Sequence, residues 1–166
     1  MNERHAPGYS TLQITLHWVI AALVAFQLLF GEGMTNVREA AEEGATSSGV
    51  DFAASIGHYW FGIAILALVL VRLGVRLTQG VPPHPVAAPT WMGWAAKLVH
   101  WAFYLMLVAM PVLGLLTVYV SDEFGDIHKL GKPVFLALIA VHVLAALYHQ
   151  FIKKDGALRR ILVPAR

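Results

Sequence analysis

The chain has 166 residues, of which 58% are hydrophobic and only 13% charged, with a formal net charge of +2 and no cysteine. This composition lies outside the range of soluble globular domains. The missing thiols exclude disulfides, thiolate metal sites, iron-sulfur clusters and any thioether-linked cofactor, so a metal must be held by His, Met or carboxylates.

A helix needs roughly 20 mostly apolar residues to cross the hydrocarbon layer, and four stretches qualify: about 11–30, 54–77, 95–120 and 127–152. The first is too long for the core of a signal peptide, carries His17 and Gln27 and lacks an A-x-A cleavage pattern, so a retained span is expected. GEGMTNVREAAEEGATSSGVD follows; it is polar and rich in small residues and reads as an outer loop with a short helix at NVREAAEE. The second span opens with GHYWFG and closes with Arg72 and Arg76. TQGVPPHPVAAPTWMG is Pro-rich and cannot continue either helix; it is expected to cross the cytoplasmic side in extended form, with His84 solvated. In the third span, MPVLG removes a backbone donor at Pro111 and permits close approach at Gly114, so a kink is expected there. The fourth span, IHKLGKPVFLALIAVHVLAALYHQF, ends in the basic tail KKDGALRR. The rest is too short and too broken for a separate soluble domain, so residues 1–166 are expected to form one all-α, integral-membrane four-helix bundle.

Orientation follows from the cations. Arg4, Arg72, Arg76, Lys97, Lys153, Lys154, Arg159, Arg160 and Arg166 fall on one side, nine of the twelve Lys and Arg. Arg38, Lys129 and Lys132 fall on the other. Both termini are therefore expected on the cytoplasmic side, with acidic outer loops. The basic balance thus reports membrane topology and gives no reason to expect nucleic acid.

Six of the eight histidines, His17, His58, His100, His128, His142 and His149, fall in or at the ends of the spans. Ionisable groups within a membrane are costly and face the bundle interior, which makes them functional candidates; a single one reads equally well as a neutral interhelical hydrogen bonder. His128 and His142 are 14 residues apart, a rotation of about 40° and a rise of about 21 Å, so they share a face at two depths. Because the helices alternate in direction, His17 should lie level with His142 and His58 level with His128. Facing imidazoles at one depth are what axial ligation of a b-type haem requires. Zinc would instead want three or four ligands converging at one point.

His100 and His149 are expected at a shallower cytoplasmic level, where they would bond a haem propionate, line a quinone pocket or anchor the interface. Arg72 and Arg76 have the same choice between propionate contact and positive-inside anchoring. Trp18, Tyr59, Trp60, Trp101 and Tyr104 could pack on a porphyrin or quinone, although interfacial belts use the same residues. Met92, Met106 and Met110 read as packing residues.

YSTLQITLHWVIAALV, GHYWFGIAILALVLVRLGVRL, LVHWAFYLMLVAMPVLGLL and the final IHKLGKPVFLALIAVHVLAALYHQFIKKDGALRRIL together resemble the bacterial cytochrome b561 family, which is related to the cytochrome b subunits of hydrogenases and formate dehydrogenases. The resemblance runs through all four spans in order. It implies a multi-pass protein of the bacterial inner membrane that holds two b haems on His17, His58, His128 and His142 and exchanges electrons with ubiquinone. A relative in that family oxidises superoxide at the outer face. The chain departs from the pattern in its longer acidic outer loop and in YHQF, where a second adjacent His is common.

Two functions are therefore expected to compete. One is a stand-alone dihaem cytochrome, a superoxide:ubiquinone oxidoreductase, with Lys129 and Lys132 beside His128 steering the anion. The other is a membrane anchor that passes electrons between quinone and a docked dehydrogenase or hydrogenase, with the outer loop as docking surface.

Overall fold

The computed structural model describes residues 8–82 and 90–164. Four helices are long and apolar enough to cross a membrane. They are α1 (Thr11–Phe30), α3 (Gly49–Gln79), α4 (Thr90–Tyr119) and α5 (Glu123–Tyr148), with α2 (Glu32–Glu42) following α1 and a short α6 (Arg159–Leu162) near the end. His5, His84, Arg4, Arg166 and most of the Pro-rich connection lie outside the described residues.

Local chemistry sets the ends. Ser10 caps α1 in a reciprocal box: its hydroxyl accepts from the Gln13 amide at 3.3 Å, while the Gln13 side chain accepts from the Ser10 amide at 3.1 Å. Ser48 caps α3 by accepting from the Asp51 amide at 3.0 Å. At the other end of α3, Gly80 takes φ of 74°, a conformation that stops the helix.

The polar segment after the first span is more ordered than its composition indicates. The expected short helix is present but longer: Gly31 keeps helical dihedrals, so α2 begins at Glu32 and follows α1 almost without a break. The second helix correspondingly starts at Gly49, before the expected 54, because Ser48 supplies a cap upstream of the apolar run. α4 passes through Pro111, which sits inside it.

The helices pack in chain order, α1 on α3, α3 on α4, α4 on α5, with α2 on α3. α5 makes no comparably close backbone packing with α1 or α3. A buried core of Ile20, Ile65, Val69, Tyr104, Leu107 and Phe135 ties the four long helices together at mid-height. Phe135 lies seven residues from both His128 and His142, about 10 Å along the axis from each, so this apolar layer separates two levels of α5.

Candidate haem sites

α5 supplies one imidazole at each level. Near the end capped by α2, His58 of α3 faces His128 with ring centres 5.9 Å apart. Near the other end, His17 of α1 faces His142 at 6.3 Å. Both pairs span the helix pairs that do not pack closely, α3 with α5 and α1 with α5. An iron bound by one nitrogen from each of two imidazoles at about 2 Å leaves the ring centres about 6 Å apart. Both separations fit that requirement. Among the described residues no three His or carboxylate groups converge tightly enough for a bare metal ion; the imidazoles meet across a gap, which suits iron carried in a flat macrocycle.

The capped site is shaped by small residues. A Cβ at Gly114 would lie 3.3 Å from the His128 ring, and one at Gly31 would lie 3.3 Å from the His58 ring. A Cβ at Gly131 would collide with the Met110 thioether, which allows α4 and α5 to approach closely beside His128. His128 Nδ1–H donates to the Met110 carbonyl at 2.9 Å. A carbonyl can only accept, so Nδ1 carries the proton and Nε2 is left with its lone pair, the form a metal ligand needs. Among the described residues His58 Nδ1 and Gln27 Oε1, both buried, have no hydrogen-bond partner, while Gln27 Nε2 donates to the His58 carbonyl at 2.8 Å. A cavity of about 1170 Å³ opens here, lined by Gln27, Gly31, His58, Gly114, His128 and Phe135 among others.

The mouth of that cavity carries charges from α2 and the start of α5. Lys132 pairs with Glu32 at 2.6 Å, and Arg38 with Asp122 and Glu42 at 2.9 Å each. Lys129 lines the same mouth and has no ion pair among the described residues. Glu39, Glu123 and Asp126 also line it, so the rim is predominantly acidic.

The opposite site is more closely furnished. The His142 ring also meets His100 at 5.5 Å and Phe103 at 5.4 Å. The sequence pairs His100 with His149 at a shallow level; the structure instead turns His100 onto His142. Arg72 reaches across from α3 and donates to the Gln13 carbonyl at 2.6 Å. Arg76 lies over the rings of Trp101 and Tyr104, at 6.0 and 5.7 Å. Arg72, Arg76 and Tyr104 also line a small cavity of about 10 Å³, room for about one water. His149 sits apart, in a π-helical turn over His149–Lys153, and its Nδ1–H donates to Asp155 at 2.5 Å.

Of the aromatic candidates, Trp18 packs edge-on against His17 and donates to the Ile161 carbonyl at 3.0 Å. Tyr104 is in the buried core, whereas Trp60 and Trp101 are exposed toward the surroundings of the bundle. Met106 and Met110 pack against the core. Two details were not anticipated from the sequence: the Met110 carbonyl behind His128, and Gln27 behind His58. Gln27 left a trace in the sequence, as a polar side chain inside an apolar run; a backbone acceptor leaves none.

Residues 8–163 match the family described as prokaryotic cytochrome b561. The chain belongs to that family. It is 36% identical over 163 residues to cytochrome b562 of Cereibacter sphaeroides, an alignment that covers 95% of this chain and 97% of the relative. It is 27% identical to "Probable superoxide oxidase CybB" of Yersinia pestis, over 95% of this chain and 97% of that one. It is 26% identical to cytochrome b561 homolog 1 of Escherichia coli K12, over 93% and 96%. Family membership and four apolar spans make the chain a multi-pass protein of the bacterial inner membrane and a b-type, electron-transferring cytochrome.

Proposed function

We propose that the chain is a stand-alone dihaem cytochrome, folded as one domain over residues 1–166, in which His17 with His142 and His58 with His128 are the axial ligands of two b haems. The observation that carries this reading is the pair of ring separations, 6.3 and 5.9 Å, at two levels of one helix. Bound haem supplies one-electron ferric/ferrous chemistry. The chain's own contribution is placement: two histidines on α5 about 21 Å apart along the axis hold the centres at opposite ends of the bundle. The buried layer around Phe135 lies between them. With the termini in the cytoplasm, as the distribution of Lys and Arg favours, the capped site faces outward.

The donor proposed is superoxide and the acceptor ubiquinone. Two superoxide anions each release one electron and leave as dioxygen; one ubiquinone gathers both electrons with two protons and leaves as ubiquinol. The Yersinia pestis relative, by its name, supports the donor. At the mouth, Lys129 is the available cation for steering, since Lys132 is held by Glu32. At the other end, Arg72, Arg76, His100 and His149 are the polar groups available to propionates or a quinone head group. The experiment is a difference spectrum and pyridine haemochrome count on the purified chain, followed by superoxide-driven reduction of ubiquinone in liposomes. Two haems per chain and quinone reduction by the isolated protein are expected. Obligate co-purification with a soluble dehydrogenase or hydrogenase, with no superoxide response, would move the assignment to the membrane-anchor function.

A further inference from the structure

Three imidazoles, not two, meet at the site away from α2, and the third has a defined hydrogen-bonding state. His100 Nδ1 lies 2.5 Å from the Ala96 carbonyl one turn back on α4. The carbonyl has no proton to give, so His100 Nδ1–H is the donor and its Nε2 carries a lone pair. Among the described residues no hydrogen bond reaches that Nε2. The His100 ring stands at 87° to the His142 ring with centres 5.5 Å apart. An N–H···N hydrogen bond of about 3 Å between two imidazoles puts their centres about 5 Å apart. Metal-ligating histidines nearly always donate their second ring N–H to a fixed acceptor, which orients the ring and raises its basicity. His128 has such an acceptor in the Met110 carbonyl; for His142 the nearest ring that can accept is His100.

We infer that His100 is a positioning residue for His142: it accepts the His142 Nδ1–H and, anchored by Ala96, fixes the tautomer and orientation of that ligand. The inference rests on the proposed bis-imidazole ligation of His142. A backbone carbonyl supports the ligand at the capped site, whereas an ionisable side chain supports it here. The two haems thereby differ in ligand basicity by construction.

The test compares His100→Phe, His100→Gln and Phe103→Leu in the purified, haem-loaded protein. The readouts are haem count, a redox titration resolving both midpoints and the ferric low-spin EPR spectrum. His100→Phe is expected to keep two haems, to move one midpoint upward with its EPR signal, to leave the other unchanged and to weaken retention of one haem 10–100-fold. His100→Gln, whose amide oxygen can accept the same proton, should restore most of the original midpoint. Phe103→Leu, which also touches His142 but cannot accept a hydrogen bond, should leave both midpoints in place. Should His100→Phe fail to fold, His100→Asn, too short to reach, replaces it. Unchanged midpoints in His100→Phe, an equal shift in Phe103→Leu or outright loss of a haem in both His100→Phe and His100→Gln would overturn the inference. A wild-type protein with fewer than two haems would overturn the ligation reading beneath it as well, and the haem count shows which has failed.

Discussion

The two ends of the bundle hold imidazole pairs at nearly the same separation, 5.9 and 6.3 Å, in unlike surroundings. The end capped by α2 has a large cavity, glycines against both rings, a backbone carbonyl behind one imidazole and a charged rim. The other end has a third histidine beside His142, with Arg72 and Arg76 nearby lining a separate small cavity. One helix can therefore repeat a facing pair of imidazoles at two levels while cavity, charge and hydrogen bonding differ around each.

The largest effect should come from breaking either pair. Replacing His17 or His142 with Ala is expected to remove one haem, and the same one, while His58 or His128 removes the other; haemochrome counts with spectra of the double variants check this. Phe135→Ala strikes the layer common to both ends. Removing a buried aromatic ring costs about 3–5 kcal/mol, and less here because one side of Phe135 already borders the cavity. The loss is read as a fall in thermal stability with both haems affected. Gly114→Leu should act at the capped end alone: its Cβ already meets the His128 ring at 3.3 Å, so the larger side chain must displace the ring and perturb only that haem's spectrum.

At the capped rim, Lys129→Gln should slow superoxide-dependent haem reduction roughly two- to fivefold at low salt, more than Lys132→Gln, and the effect should fade as ionic strength rises. Equal, salt-independent rates would remove the steering role. The smallest effect is expected at the tail. Burial pushes the Asp155 carboxyl up, but the hydrogen bonds from His149 and the Ala157 amide outweigh it and hold the group below the usual carboxylate range. A depressed carboxylate stabilises the fold above its ordinary pKa and loses that contribution as pH falls through the native value, so the turn should hold at neutral pH and loosen only below about pH 4. Asp155→Asn should reproduce the loosening at pH 7, seen as faster amide exchange over the tail with both haems retained.

The membrane class, the four spans and the pairing of levels were legible in the residues, because hydropathy over about 20 residues and a 14-residue interval on a helix depend only on helix geometry and the thickness of the bilayer. The start of α3 was less legible, since its first turns mix Val50 and Phe52 with Asp51 and Ser55 after a polar cap, without a continuous apolar run. The short helix at NVREAAEE was legible, but its extension back to Glu32 and its packing on α3, where a Cβ at Gly33 would press on Ala54, are tertiary outcomes.

By itself the sequence determined that this chain lives in a bilayer and that α5 offers imidazoles at two depths, since both follow from local periodicity. The turning of His100 toward His142 and the pairing of Lys132 with Glu32 were decided by tertiary structure. Those outcomes depend on rotation about the helix axis and on side-chain reach across gaps, and both are set only when the four helices pack.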